Sequence, residues 1–169
     1  MHRKYHKRSS GTRDKYSVEH TLIRSPNSAE WATVEATPTT VQSKQFYIPI
    51  IPPTDVQGMR KVKHLTLSFS NVSEGEQLPV IYAIVYVPQG YAPQPIKIPS
   101  LGGAVSMYEA NQFIMSTGVL DFSGGPLRIR SRLSRNLNSG DQLVLILSTA
   151  NAGISSYYTV EVTYAITLQ

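Results

Sequence analysis

From Tyr157 to Leu168 the side chains alternate in character without a break. Tyr158, Val160, Val162, Tyr164, Ile166 and Leu168 fall on one face, and Tyr157, Thr159, Glu161, Thr163, Ala165 and Thr167 fall on the other. A period of two sustained over twelve residues is what a half-buried strand requires, and a helix, with about 3.6 residues per turn, would scatter both sets around its circumference. At about 3.3 Å per residue the segment would run roughly 40 Å, long enough to cross a small β-domain. The composition agrees. Val, Ile, Thr and Tyr, the residues that suit a pleated surface, fill 50 of the 169 positions, and 11 Gly and 11 Pro punctuate them.

Six further segments of strand length precede this one, at 44–51, 62–72, 79–88, 112–120, 127–133 and 141–149, with the last predicted over 156–168. Pro52-Pro53, Ser73-Glu74-Gly75-Glu76, Ser123-Gly124-Gly125-Pro126, 136–140 and Asn151-Ala152-Gly153 separate them with turn chemistry. The runs 80–87 and 143–147 are apolar on both faces. One face of each belongs to a sandwich core; the other needs a cover, and a neighbouring subunit is the economical candidate. Residues 88–103 hold four prolines and three glycines and are expected to form an exposed, semi-rigid loop on the outer surface. Only 104–111 has helical character. Seven or eight strands with unequal loops and no helices between them predict an all-β fold, a single antiparallel jelly-roll sandwich of about eight strands. An immunoglobulin-like sandwich is the alternative, and the missing Cys…Trp…Cys spacing counts against it.

The formal charge of +5 sits at one end. Residues 1–15 carry Arg3, Lys4, Lys7, Arg8, Arg13 and Lys15 against Asp14, and the other 154 residues carry ten basic and ten acidic side chains. The chain therefore divides into a basic, disordered arm (1–24), a linker (25–43) able to dock a short strand near 32–36, and a neutral domain (44–169). A cluster such as Arg3 to Arg8 can bind nucleic-acid phosphates, act as a nuclear import address, or merely solubilise. The opening residues lack the apolar stretch of a secretory signal, and no run is long enough to span a membrane, so no membrane partner is expected.

Residues for catalysis do not assemble. Cysteine is absent, which removes disulfides, thiolate metal sites and a cysteine nucleophile. His64 lies among Val62, Leu65 and Leu67 and is expected to be structural or superficial. His2 and His6 have i,i+4 spacing, but in an unstructured arm that spacing holds no metal. Neither a nucleophile elbow, a zinc-protease helix motif nor a phosphate-binding loop occurs. Glu74, Glu76, Glu109, Asp121 and Asp141 fall near turns, as solvated carboxylates do, and Asn71-Val72-Ser73 is an incidental glycosylation match. The expectation is a non-enzyme with no cofactor and no metal. One internal pattern stands apart. Arg128, Arg130 and Arg132 recur with period two, Arg135 follows, and no acid occurs between Gly124 and Gly140. On a strand the three would share a face opposite Leu127, Ile129 and Leu133. Their partner is either nucleic-acid phosphate or a carboxylate of an adjacent subunit, such as Glu74 or Glu76.

Residues 79–88 (PVIYAIVYVP), 108–118 (YEANQFIMSTG) and 125–141 (GPLRIRSRLSRNLNSGD) resemble capsid proteins of small circular single-stranded DNA viruses, the nanovirus-like and circular Rep-encoding group. The likeness runs from about 60 to 169. It implies a jelly-roll subunit, a homo-oligomeric icosahedral shell of about 60 copies, an arm on the inner side that packages single-stranded DNA, and a host nuclear import receptor that reads the arm. Virion and host nucleus are the implied locations. Arg3, Lys4, Lys7, Arg8, Arg13 and Lys15 match the arm, which here is short and rich in Lys and His where many relatives carry a long arginine tract. Sixty copies would bring about +300 of arm charge against one negative charge per nucleotide, leaving a longer genome to the inner-face arginines or counterions. Rival readings are a satellite-type capsid packaging single-stranded RNA, a non-capsid single-strand-binding or movement protein, and a lectin-like sandwich. The neutral domain disfavours the second, and the third leaves the arm unexplained.

Overall fold

The computed structural model describes residues 16–72, 79–150 and 157–168. The six basic arm residues, and Glu74 and Glu76, lie outside them. Among the described residues there are twelve strands: β1 (Ser17–Arg24), β2 (Ala32–Val34), β3 (Thr40–Val41), β4 (Ser43–Ile51), β5 (Arg60–Asn71), β6 (Val80–Val87), β7 (Ile98–Pro99), β8 (Phe113–Leu120), β9 (Leu127–Arg130), β10 (Arg135–Leu137), β11 (Gln142–Thr149) and β12 (Tyr158–Leu168). They form two five-stranded sheets. The first runs β1-β12-β5 and ends in β9 and β10, both paired to β5; the second runs β2-β4-β11-β6-β8, and β3 and β7 make a two-stranded accessory. All pairings are antiparallel.

Setting aside the short β2, β3 and β7, and counting β9 and β10 as one interrupted strand, eight strands remain. In chain order they visit the first sheet, the second, the first, twice the second, the first, the second and the first. That connectivity is a jelly roll, so the fold is the all-β sandwich the sequence predicts. The alternating face of β12 turns Tyr158, Val160, Val162 and Tyr164 inward against Val80, Tyr82, Ile84, Leu143, Leu145 and Leu147 of the second sheet. In β4, Pro49 stands beside a register shift opposite Leu143/Val144, where a residue without an N–H interrupts the ladder least.

Three expectations are corrected. Residues 17–24, read as the end of a disordered arm, form β1 and pair with β12 over eight positions from Ser17↔Ile166 to Arg24↔Thr159. Ile23 is the apolar residue that anchors it in the core. Residues 104–111 form no helix; the two short 3-10 turns are at Ser28–Glu30 and Phe122–Gly124. The second apolar face of β6 and β11 is covered by the chain itself. Ala83, Val85, Val87, Val144 and Ile146 pack under Ile96, with Tyr47 and Met107 alongside, in a smaller core on the far side of the second sheet.

Two buried glutamines hold that cover in place. Gln45 accepts from the Ile96 N–H at 3.0 Å and donates to the Ile96 carbonyl. Gln112 accepts from the Gln94 N–H at 2.7 Å and donates to the Gln94 carbonyl at 3.2 Å. Each amide thus replaces the ladder bonds a strand would have provided, which satisfies a buried segment that is not in a sheet. Residues 88–103 are therefore an exposed loop only in part, since Ile96 is buried. Gln45→Leu keeps the volume but leaves the N–H and C=O of Ile96 unpaired. The expected result is a loss of about 2–4 kcal/mol in denaturant unfolding and new proteolytic cutting within 88–112 of the folded protein.

Candidate nucleic-acid interface

The outward face of the first sheet follows from its register. Val18, His20, Leu22 and Arg24 of β1 lie opposite Ala165, Thr163, Glu161 and Thr159 of β12. These continue across to Lys63, Thr66, Ser68 and Ser70 of β5, and Ser68 and Thr66 face Arg128 and Arg130 of β9. Inward-facing Val62, Leu65, Leu67 and Phe69 are buried, which fixes the alternation. Among the described residues this face presents Arg24, Lys61, Lys63, Arg128 and Arg130 against the one carboxylate of Glu161, among Ser and Thr hydroxyls. The His20 ring sits on the same face, with Nδ1 3.2 Å from Thr163 Oγ1. Glu161 and Arg128 share a row but stand two strands apart, about 10 Å at the usual strand spacing, too far for an ion pair. Among the described residues the one ion pair is Lys97–Glu109, at 3.1 Å, on the other sheet's side of the molecule. Arg128 and Arg130 are thus exposed cations without a carboxylate partner among the described residues.

The four arginines read together in the sequence are separated by the fold. Only Arg128 and Arg130 share the strand face. β9 stops at Arg130 because β5 bulges opposite its continuation: His64 has φ 56°, and the register shifts between Thr163 and Ala165. Ser131 closes off the strand, its N–H donating to the Leu65 carbonyl at 2.8 Å and its Oγ accepting from the Leu133 N–H at 3.2 Å. Arg132 is consequently in the connection, exposed, and Leu133 does not reach the core. Arg135 resumes pairing opposite Val62 and turns to the other side, with its guanidinium carbon 3.9 Å from the centre of the Tyr86 ring. His64 itself is exposed, as expected of a superficial histidine.

Sequence reasoning missed Arg24, Lys61 and Lys63. The signal was available in Arg60-Lys61-Val62-Lys63, where period two puts both lysines opposite Val62. The described chain begins at Tyr16, whose ring lies 4.8 Å from Lys63 Nζ. The basic arm is therefore joined covalently beside the basic face. Among the described residues no group of three His, Cys, Asp or Glu could hold a metal ion, and no helix is long and apolar enough to cross a membrane.

A jelly-roll domain with one basic outer sheet face, continuous with a basic N-terminal segment, is the class of protein these features define. No protein-family model matches the chain, and no curated protein sequence matches it. Among solved structures it is similar to a chain from Desmodium yellow mottle tymovirus, with 15% identity and a TM-score of 0.37 over 98% of this chain and 95% of that one.

Proposed function

We propose that this protein is a capsid subunit that self-assembles into a closed shell and packages single-stranded nucleic acid, with no catalytic role. The observation that carries the proposal is the side on which the charge collects. Arg24, Lys61, Lys63, Arg128 and Arg130 line the sheet face beside which Tyr16 lies, and the basic residues of 1–15 are joined to the chain at that point, so one polyanion can serve both. On the other large surface, over the second sheet, the outer face of β6 and β11 is covered by the chain's own 88–112 segment. DNA is the favoured cargo on the resemblance of 60–169 to single-stranded DNA virus capsids, and nuclear import of the arm goes with it. Phosphate contacts carry no information about the sugar, so an RNA cargo fits the same chemistry.

Binding through the arm should be indifferent to sequence and steep in salt. Six contacts at about 0.7 counterions each give a log–log slope of about −4 for single strands. The test is assembly with and without short single-stranded DNA, read by electron microscopy and by the nucleic-acid absorbance of purified particles. Changing Arg3, Lys4, Lys7, Arg8, Arg13 and Lys15 to Gln is expected to abolish packaging while the domain stays folded. Arg128, Arg130 and Arg132 changed together to Ala should still give shells, with reduced nucleic-acid content. Loss of shells from that triple variant in the absence of nucleic acid would assign the arginines to a neighbouring subunit. Normal packing density in the arm variant would defeat the proposal as a whole.

A further inference from the structure

At the end of the sandwich where β10 meets β5, a cleft of about 550 Å³ is lined by Lys61, Tyr86, Ser134, Arg135, Asn136 and Asn138. Its walls carry two cations, neutral amides and hydroxyls, and no acid. The Arg135 guanidinium rests on the Tyr86 ring at 3.9 Å and lies 5.6 Å from the Phe113 ring centre. A guanidinium seated this way spends its face on the aromatics and keeps in-plane N–H groups for an acceptor.

The carboxylate that holds Tyr86 lies behind the ring and does not line the cleft. Asp141 is buried, and its oxygens accept from Tyr86 Oη at 2.9 Å, the Gln89 N–H at 3.1 Å and the Asn138 N–H at 2.8 Å. Its negative charge stands against that of Arg60, a buried guanidinium bonded to the Asp141 and Pro52 carbonyls at 3.0 Å each. Asp141 acts electrostatically on Arg60 and on Tyr86, Tyr86 is bonded to Arg135 as well, and Lys61 and Arg135 make no ion pair with a carboxylate among the described residues. Tyr86 links the two layers, because its phenol donates inward to Asp141 while its ring carries Arg135.

We infer that this cleft is a binding site for a phosphate group, with the Arg135 fork and the Lys61 ammonium on its oxygens. Paired cations with flanking amide and hydroxyl donors match a tetrahedral oxyanion better than a carboxylate side chain, which offers two acceptors in one plane. The site lies at the β10 end of the sheet, away from Arg128 and Arg130 on β9, but shares Lys61 with the basic face, so it deepens the nucleic-acid-binding reading and rests on it in that respect. The phosphate has two sources, a free or mononucleotide phosphate and the backbone of a strand.

The test uses the intact protein and three probes, namely inorganic phosphate, a nucleoside monophosphate and a short single-stranded oligonucleotide. Each is titrated calorimetrically and by its protection of Lys61 from acetylation, read by mass spectrometry on the unsubstituted chain. Saturable binding with protection of Lys61 is expected. Arg135→Gln and Lys61→Gln should each weaken it about tenfold or more, as losing one charge-assisted contact implies. Arg135→Lys keeps the charge without the fork and should recover part of the loss. Lys97→Gln, on the other sheet's side of the molecule, should leave phosphate protection of Lys61 unchanged. Protection by the small probes identifies a free-phosphate site; protection by the oligonucleotide alone identifies a backbone site. Failure of all three to protect Lys61, equal competition by acetate, or undiminished binding in the Lys61→Gln/Arg135→Gln double variant would overturn the inference.

Discussion

Asp141→Ala is expected to lower the thermal unfolding midpoint by about 10 °C, through a loss of roughly 3–5 kcal/mol. The cause is the number of groups that one carboxylate serves. Without it the Tyr86 hydroxyl and the N–H groups of Gln89 and Asn138 lose their acceptor, and the buried Arg60 guanidinium loses its counter-charge. Burial already pushes the Arg60 pKa down, and the attraction of Asp141 is one of the effects opposing that; Arg60 Nε has no hydrogen-bond partner of its own. The backbone depends on the same residue. Gly140, at φ 78°, donates to the Thr54 carbonyl at 2.9 Å, and the Asp141 N–H closes the turn onto Asn138. Asp141→Asn retains an acceptor and the volume, so about half the loss is expected. Circular dichroism melts of the three proteins check the order, and a midpoint for the alanine variant within 2–3 °C of the parent, worth about 1 kcal/mol, would contradict it.

The second large effect is at Tyr158. Its ring is buried between Trp31 and Phe122, with centroids 5.8 and 5.4 Å away. Its backbone N–H donates to Ser25 Oγ at 2.9 Å, and its carbonyl accepts from the Ser25 N–H at 2.9 Å. Tyr158→Ala removes the ring that the 25–31 segment packs on, and a loss of about 3–5 kcal/mol is expected from burial and cavity together. Tyr158→Phe keeps the ring and should cost no more than about 1.5 kcal/mol. Hydrogen exchange would show the loss first at residues 25–34, since Trp31 also stacks on Phe46 of β4 and its indole N–H holds the Pro26 carbonyl. Uniform loosening with residues 25–34 unaffected would contradict this account.

Most of the sheet was legible in the sequence because side-chain period reports directly on burial. The segments predicted at 44–51, 79–88, 112–120, 141–149 and 156–168 lie within two residues of β4, β6, β8, β11 and β12 at either end. β1 was hidden because Ser17-Val18-Glu19-His20-Thr21 has one apolar residue, Val18, and that one is exposed; partnership with β12, not its own hydrophobicity, makes it a strand. The 127–133 segment read as one strand because nothing in its own residues reports the bulge at His64 on the strand beside it. Asp141 read as solvated because it follows Asn-Ser-Gly. Its burial comes from Arg60 and Tyr86, 81 and 55 positions away. The arginine pattern gave two of the exposed cations on the basic face, and the connection after Arg130 placed Arg132 and Arg135 elsewhere. The arm residues lie outside the described part of the molecule, and their role rests on composition.

The segment that closes over Val85 and Ile146 has a thermodynamic corollary. Because Ile96, clamped by Gln45, supplies the second apolar cover, the second face of β6 and β11 is buried within a single copy. The free energy of folding is then separable from that of any later contact between copies. A chain built this way can be stable at dilutions where no neighbour is present, and any association between copies can remain weak per contact and reversible.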